Sequence, residues 1–155
     1  MNKVLVLGAG MVVRAHVRYL LDHDFRVTVA SLIESEAEDM IGGRPNGVAR
    51  RLDITTEPER LASMVAEHDA VVSLLPWPFH PQVARVCLDA GRHMVTSSYV
   101  KDEMRALDAE ARAKGIMLFN ELGVDPGLDH MTAMKVIHRI QAEGGTITTF
   151  QSYCG

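Results

Sequence analysis

An α/β fold built on a doubly wound parallel sheet is the architecture this sequence predicts, and three observations carry it. Short runs of β-branched and aliphatic residues recur along the chain, and stretches of helical periodicity of about 10 to 15 residues separate them, as in successive βαβ units. The first run, "KVLVLGAG", ends in two glycines, where a buried strand must turn tightly into a helix. About half of the 155 residues are apolar, enough to bury one ordinary core.

The elements follow in order. After the strand in "KVLVLGAG" a helix should run to about Leu21; "FRVTVA" then predicts a strand and "SEAEDMI" a helix. "VARRLDI" predicts the third strand, and "EPERLASMVAEH" a helix opened by Glu57 and Pro58, because proline is preorganised for a first helical turn. "DAVVSLLP" is the fourth strand. A helix from Pro78 to Gly91, a strand "HMVTSS", a helix from Lys101 to Lys114 and a strand "GIMLFN" come next. "GLDHMTAMKVIHRIQAEGG" predicts a further helix with Met131 and Met134 as packing residues, and "TITTFQSYCG" alternates like a strand with one face on a core. There the sequence reads as breaking off on entry to a second α/β domain.

Composition excludes several classes of function. The net charge is −4 with acids and bases interspersed, so no basic stripe exists to neutralise nucleic-acid phosphates. The longest uncharged apolar stretch, 4–13, falls well short of the roughly 20 residues of a membrane helix. Two cysteines, Cys87 and Cys154, make no disulfide framework, and no leader is visible, so a cytoplasmic location is expected. Cys87, between Val86 and Leu88, reads as core. No Cys/His pair has zinc-ligand spacing, and no metal is expected.

"GAGMVV" after the first strand matches part of the dinucleotide fingerprint of Rossmann folds. Gly8 would make the tight turn and Gly10 would admit a pyrophosphate to the helix N-terminus, while Val13 stands where a smaller residue is usual. The end of the second strand, where cofactor choice is set, reads Ala30-Ser31-Leu32: no acid sits at the tip, Glu34 comes late, and no Arg is local. Ser31 is suited to bonding a phosphate, and the corner leaves NAD and NADP both open. Asp53 is placed equally well to approach the adenine side or to cap the following helix.

From the fourth strand onward four words stand in order: "VVSLLPWPFHP", "VTSSYV", "NELGVDPGLDHM" and "SYCG". Together they resemble the saccharopine reductase family, the glutamate-forming saccharopine dehydrogenases. The resemblance implies a Rossmann domain, here 1–125, followed from 126 to 155 by the beginning of a substrate and dimerisation domain. It implies NADPH-dependent reduction of the imine between L-glutamate and 2-aminoadipate 6-semialdehyde to saccharopine, or the reverse, on a small amino-acid substrate in a homodimer. It assigns Gly8, Gly10, Met11 and Val12 to the pyrophosphate turn, Ser31, Leu32, Asp53 and Ile54 to the adenosine side, and Ser73, Leu74, Leu75 and Pro76 to the cofactor ribose. Thr96, Ser97, Ser98, Leu122 and Val124 complete the cofactor lining. Ser98, Tyr99 and Asp125 fall at substrate positions, and Tyr99, Asp125 and Cys154 are the candidates for proton transfer. Two positions depart from the family pattern, which usually has Ala at Val13 and Arg at Leu32. Alternatives are a carboxynorspermidine dehydrogenase-like imine reductase and an NAD(P)-sensing Rossmann protein without turnover.

In "NELGVDPGLDH" the residues alone read as a helix cap, Asp125 as N-cap and Pro126 as first helical residue, whereas the resemblance makes Asp125 an active-site group. Trp77, Phe79 and His80 suit either a nicotinamide pocket or an aromatic-packed helix start. Asp129 and His130 stand in a first helical turn, where an acid complements the helix dipole.

Overall fold

The computed structural model describes residues 2–153. Six parallel strands, β1 (Lys3–Leu7), β2 (Arg26–Ser31), β3 (Gly47–Arg51), β4 (Ala70–Ser73), β5 (His93–Thr96) and β6 (Leu118–Phe119), form one sheet in the order β3-β2-β1-β4-β5-β6. The helices are α1 (Val13–Asp22), α2 (Glu34–Ile41), α3 (Pro58–Ala66), α4 (His80–Ala90), α5 (Asp102–Arg105), α6 (Asp108–Lys114) and α7 (Leu128–Ala142). Both faces of the sheet are covered, which is why β1 reads as a continuous apolar run rather than an alternating one. Leu5 and Leu7 pack with Leu61, Val83 and Leu88 of α3 and α4, while Val4 and Val6 pack with Val13, Val17 and Ala37 of α1 and α2. Among the described residues, no helix is long and apolar enough to cross a membrane.

The register aligns the carboxyl ends of the strands: Leu7 pairs with Ala30 on one side and Ser73 on the other, Ser73 with Thr96, and Ser31 with Arg51. The connections that leave β1 and β4 run to opposite faces of the sheet, and a crevice opens between them at the carboxyl edge. Val13 is fully accommodated, 1% exposed between α1 and the sheet. Cys87 is buried in the core, and burial pushes its thiol up to about 12.

Several elements differ from expectation. The helix foreseen from Pro78 opens as a 3-10 turn at Trp77–Phe79, because Pro76, Pro78 and Pro81 interrupt the run of backbone donors. The helix foreseen over 101–114 is two, since the Leu107 amide donates to the Met104 carbonyl, three residues back, and tightens the chain between α5 and α6. Met131 and Met134 are exposed rather than packed, and no residue of α7 is buried, because no other helix or strand among the described residues covers it. The strand foreseen over 146–155 is absent across 146–153: no neighbouring strand takes up its backbone groups.

Gly8 is the position where the sheet edge tolerates no side chain. Its φ is +102°, and an added Cβ would lie 2.8 Å from the Leu74 carbonyl oxygen. Gly8→Ala is therefore expected to destabilise the fold by about 2–3 kcal/mol, read as a lower denaturation midpoint at unchanged slope.

Candidate active site

The glycine turn is built by its hydrogen bonds. Gly8 N–H donates to the Ala30 carbonyl at 2.9 Å and Leu74 N–H to the Leu7 carbonyl at 2.9 Å, drawing the ends of β1, β2 and β4 together. Above the turn, a Cβ at Gly10 would meet nothing within 4 Å. The first turn of α1 carries no acidic side chain and no side-chain cap; Val13 N–H donates to the Gly10 carbonyl at 3.1 Å, and no side chain competes with an anion at the helix N-terminus. Met11 and Val12, 99% and 80% exposed, leave apolar surface beside them. An open glycine, a helix N-terminus without a side-chain cap and an apolar rim fit a dinucleotide pyrophosphate.

On the adenosine side, Ser31 Oγ is a weak acceptor for the Ile33 amide at 3.4 Å, and Leu32 is exposed. Asp53 does not cap α3. Its Oδ1 accepts the Thr55 amide at 2.9 Å and the Thr55 hydroxyl at 2.6 Å, bonds that hold its carboxyl below the usual range, and Glu57 stands at the N-cap instead. The Ile54 side chain is buried, and its carbonyl accepts from Gln82.

At the ends of β4 and β5, Ser73 and Thr96 are buried and turned toward His80, itself only 2% exposed. Ser73 Oγ lies 2.9 Å from His80 Nδ1, and Ser98 Oγ and Thr96 Oγ1 lie 2.8 and 3.2 Å from Nε2. Burial pushes the His80 pKa down, so the ring is neutral, with one nitrogen donating and the other accepting. Phe79 packs on the core, while Trp77 is 52% exposed with Lys101 Nζ 5.3 Å from its ring centroid. Of these three, His80 alone has a polar task in the site; the sequence marks it only as a polar residue at a helix start whose neighbouring positions are apolar.

The loop after β6 brings the other groups in. An extended strand sends successive amides to opposite sides, but Glu121 has φ +64°, and this left-handed residue turns two successive amides the same way. Glu121 N–H reaches the Ser98 carbonyl at 3.1 Å and Leu122 N–H the Thr96 carbonyl at 3.2 Å, while Glu121 Oε1 accepts the Val100 amide at 3.1 Å. Tyr99, between these anchors, donates its hydroxyl to Asp125 Oδ1 at 2.5 Å. Asp125 does not cap α7: Gly127 is the N-cap residue, and Asp129 Oδ1 accepts the Gly127 amide at 2.9 Å. Asp125 is exposed, as are Val124 and Leu122. Asp125, Asp129 and His130 bring one ligand atom each within 4.8 Å of one another, with His130 Nδ1 already on Asp129 Oδ1. Cys154 lies outside the described residues.

A cavity of about 750 Å³ opens beside this loop, between Val12 and His16 at the start of α1, Leu74, Ser97, Val124 and Asp125. His16 is a lining residue the sequence reading passed over; its Nε2 is buried without a partner, and burial lowers its pKa. A second cavity of about 580 Å³, with Lys3, Arg26, Arg50 and Arg60 in its wall, lies over β2 and β3 against α3, remote from the carboxyl edge.

The strand order, the glycine turn and the crevice at the carboxyl edge define a Rossmann-like α/β domain. The family model described as the saccharopine dehydrogenase NADP binding domain matches residues 4–119, the model of the saccharopine dehydrogenase C-terminal domain matches residues 123–155, and the chain belongs to the saccharopine dehydrogenase family. It is 41% identical over 154 residues to the NADP(+), L-glutamate-forming saccharopine dehydrogenase of Pyricularia oryzae, covering 99% of this chain and 34% of the relative. Identity to the mitochondrial alpha-aminoadipic semialdehyde synthase of Bos taurus is 40%, over 99% of this chain and 17% of that protein. The apo L-Glu-forming saccharopine dehydrogenase of Saccharomyces cerevisiae superposes with a TM-score of 0.85 at 34% identity, covering 93% of this chain and 32% of that one. The chain thus spans about a third of the length of these fungal relatives.

Proposed function

We propose that the chain is the NADP-binding part of an enzyme that interconverts saccharopine with L-glutamate and 2-aminoadipate 6-semialdehyde through an imine. The observation that carries this reading is the Tyr99–Asp125 hydrogen bond, 2.5 Å long and set on the rim of the cofactor crevice, in a chain of this family. NADP, when bound, supplies or accepts the hydride at the imine carbon. The remaining chemistry is proton transfer: the amine nitrogen loses a proton to attack the aldehyde, and the resulting hydroxyl gains one to leave as water. Asp125 takes the first proton and Tyr99 stands within reach to pass one to the hydroxyl, with Cys154 as a further candidate.

Gly8, Gly10, Met11 and Val12 hold the pyrophosphate, and Ser31, Leu32, Asp53 and Ile54 border the adenosine. Ser73 to Pro76, Thr96 to Ser98, Leu122 and Val124 border the ribose and nicotinamide, Ser73 and Thr96 through backbone groups because their hydroxyls face His80. Ser98, Tyr99 and Asp125 meet the amino-acid substrate. We place the boundary between cofactor and substrate domains after residue 125, a few residues beyond the point between 119 and 123 where the two family matches part. The exposed apolar side chains of α7, Leu128, Met131 and Met134, support packing against further chain of the second domain and, through it, a homodimer. We place the enzyme in the cytoplasm, a setting with which the free buried thiol of Cys87 is compatible.

The test uses the full-length protein with saccharopine and NADP. Growth of the reduced-nicotinamide absorbance, matched by released glutamate, is expected. Turnover of carboxynorspermidine in place of saccharopine, or cofactor binding with no turnover of either, would contradict the reading.

A further inference from the structure

The adenosine corner lacks the cation that a phosphorylated ribose requires. The second strand ends in Ser31-Leu32, and the two charged side chains of the first turn of α2, Glu34 and Glu36, are both acidic. Left so, the corner would repel the extra phosphate that separates NADP from NAD. The sheet register supplies a cation from elsewhere in the sequence: Arg51, the last residue of β3, pairs directly with Ser31, and the Leu52 amide locks that end by donating to the Ser31 carbonyl at 2.9 Å. Directly paired residues project to the same face of a sheet. That face is the one covered by α1 and α2, since Val29 and Ala49, two residues earlier on each strand, pack there. Arg50 projects to the other face, into the basic cavity against α3.

The Arg51 guanidinium is half-exposed and rests on Glu57 Oε2 at 3.0 Å. It is free to leave, because Glu57 keeps two other partners: Arg60 at 3.1 Å and the Asp53 amide at 2.9 Å. A guanidinium also binds a phosphate as a two-pronged donor, which an exchange from carboxylate to phosphate preserves. Arg14, the arginine in the first turn of α1, is engaged with the Asp39 carbonyl, and Arg18 stands a turn further along the helix, away from the carboxyl edge.

We infer that Arg51 is the specificity-determining residue for the phosphorylated cofactor, binding the ribose phosphate beside Ser31; this rests on the cofactor reading above. The role played elsewhere by an Arg at the tip of the second strand is taken by its lateral neighbour on the third.

The test is the dissociation constant of the full-length protein for NADPH and for NADH, each followed by nicotinamide fluorescence. Arg51→Gln is expected to weaken NADPH about tenfold and NADH less than twofold, the loss of a charge-assisted pair at a half-exposed site. Glu57→Gln keeps the acceptor for the Asp53 amide but releases Arg51, and should tighten NADPH severalfold without moving NADH. Arg50→Gln should move neither. An Arg51→Gln protein that keeps its NADPH preference, loses both cofactors alike, or is matched by Arg50→Gln would overturn the inference while leaving the cofactor reading intact. A parent protein that binds neither cofactor would defeat both.

Discussion

Asp125→Asn in the full-length protein is expected to lower kcat by about a hundredfold to ten-thousandfold, the range for removing a positioned acid–base group, with the NADPH dissociation constant unchanged. The substitution is nearly isosteric, so the loop that carries Asp125 keeps its shape. That loop is fixed by bonds that do not involve the carboxylate: Gly123 N–H to the Pro126 carbonyl at 2.8 Å and Asp129 N–H to the Val124 carbonyl at 3.0 Å. What changes is the partner of the Tyr99 hydroxyl and the ability to hold a proton there. Tyr99→Phe, which keeps the ring and deletes the donor, should show a smaller fall in kcat of the same kind. Steady-state kinetics alongside cofactor fluorescence decides the matter. A kcat within twofold of the parent for both variants would remove Asp125 and Tyr99 from the chemistry and leave them as rim residues.

His80→Leu carries the largest expected effect on stability, about 2–4 kcal/mol, because it strips partners from Ser73 and Thr96, both buried where water cannot replace them, and from the half-buried Ser98. The cost falls on the site as well, since His80 ties the ends of β4 and β5 to the start of α4, and Ser98 immediately precedes Tyr99. His80→Asn, which keeps a donor and an acceptor on a shorter arm, should recover part of the loss. Stability should also respond to pH with a defined sign. Burial holds the folded pKa of His80, and of His16, below the ordinary 6.5, so the unfolded chain binds these protons more readily. Their contribution is complete above about pH 6.5 and is lost as pH falls toward the lowered folded values. Chemical denaturation across that interval should give a rising stability with pH, flatter in His80→Leu; a slope of opposite sign would contradict a neutral buried His80.

The sheet was legible because each strand is buried on both faces and so reads as an apolar run bounded by turns: "KVLVL" and "RVTVAS" leave little else to be. The glycine turn was legible for a steric reason, the contact Gly8 makes with Leu74. Other features depend on contacts between distant parts of the chain. Asp125 and Asp53 both have the sequence of an N-cap, yet one caps nothing and the other closes its own turn on Thr55, because the helices begin three and five residues later. His80 suits either a nicotinamide pocket or a packed helix start until Ser73, Thr96 and Ser98 are seen around it. Glu121 is an ordinary acid in the sequence, and only its left-handed backbone reveals that it aims two amides at one neighbour. Arg51 stands twenty positions from Ser31, and strand pairing alone brings them side by side. The alternation in "TITTFQSYCG" was real as a pattern, but over the described residues 146–153 no partner strand takes it up.

Hydrogen exchange of the full-length protein with and without NADPH tests most directly that the crevice at the carboxyl edge is the site. Slowed exchange is predicted for the amides of Gly8 to Val12, of Ser73 to Leu75 and of Ser97 to Tyr99, with little change along Arg26 to Thr28 at the opposite end of the sheet. Protection centred on Lys3, Arg26 and the basic cavity against α3, with none at the glycine turn, would contradict it.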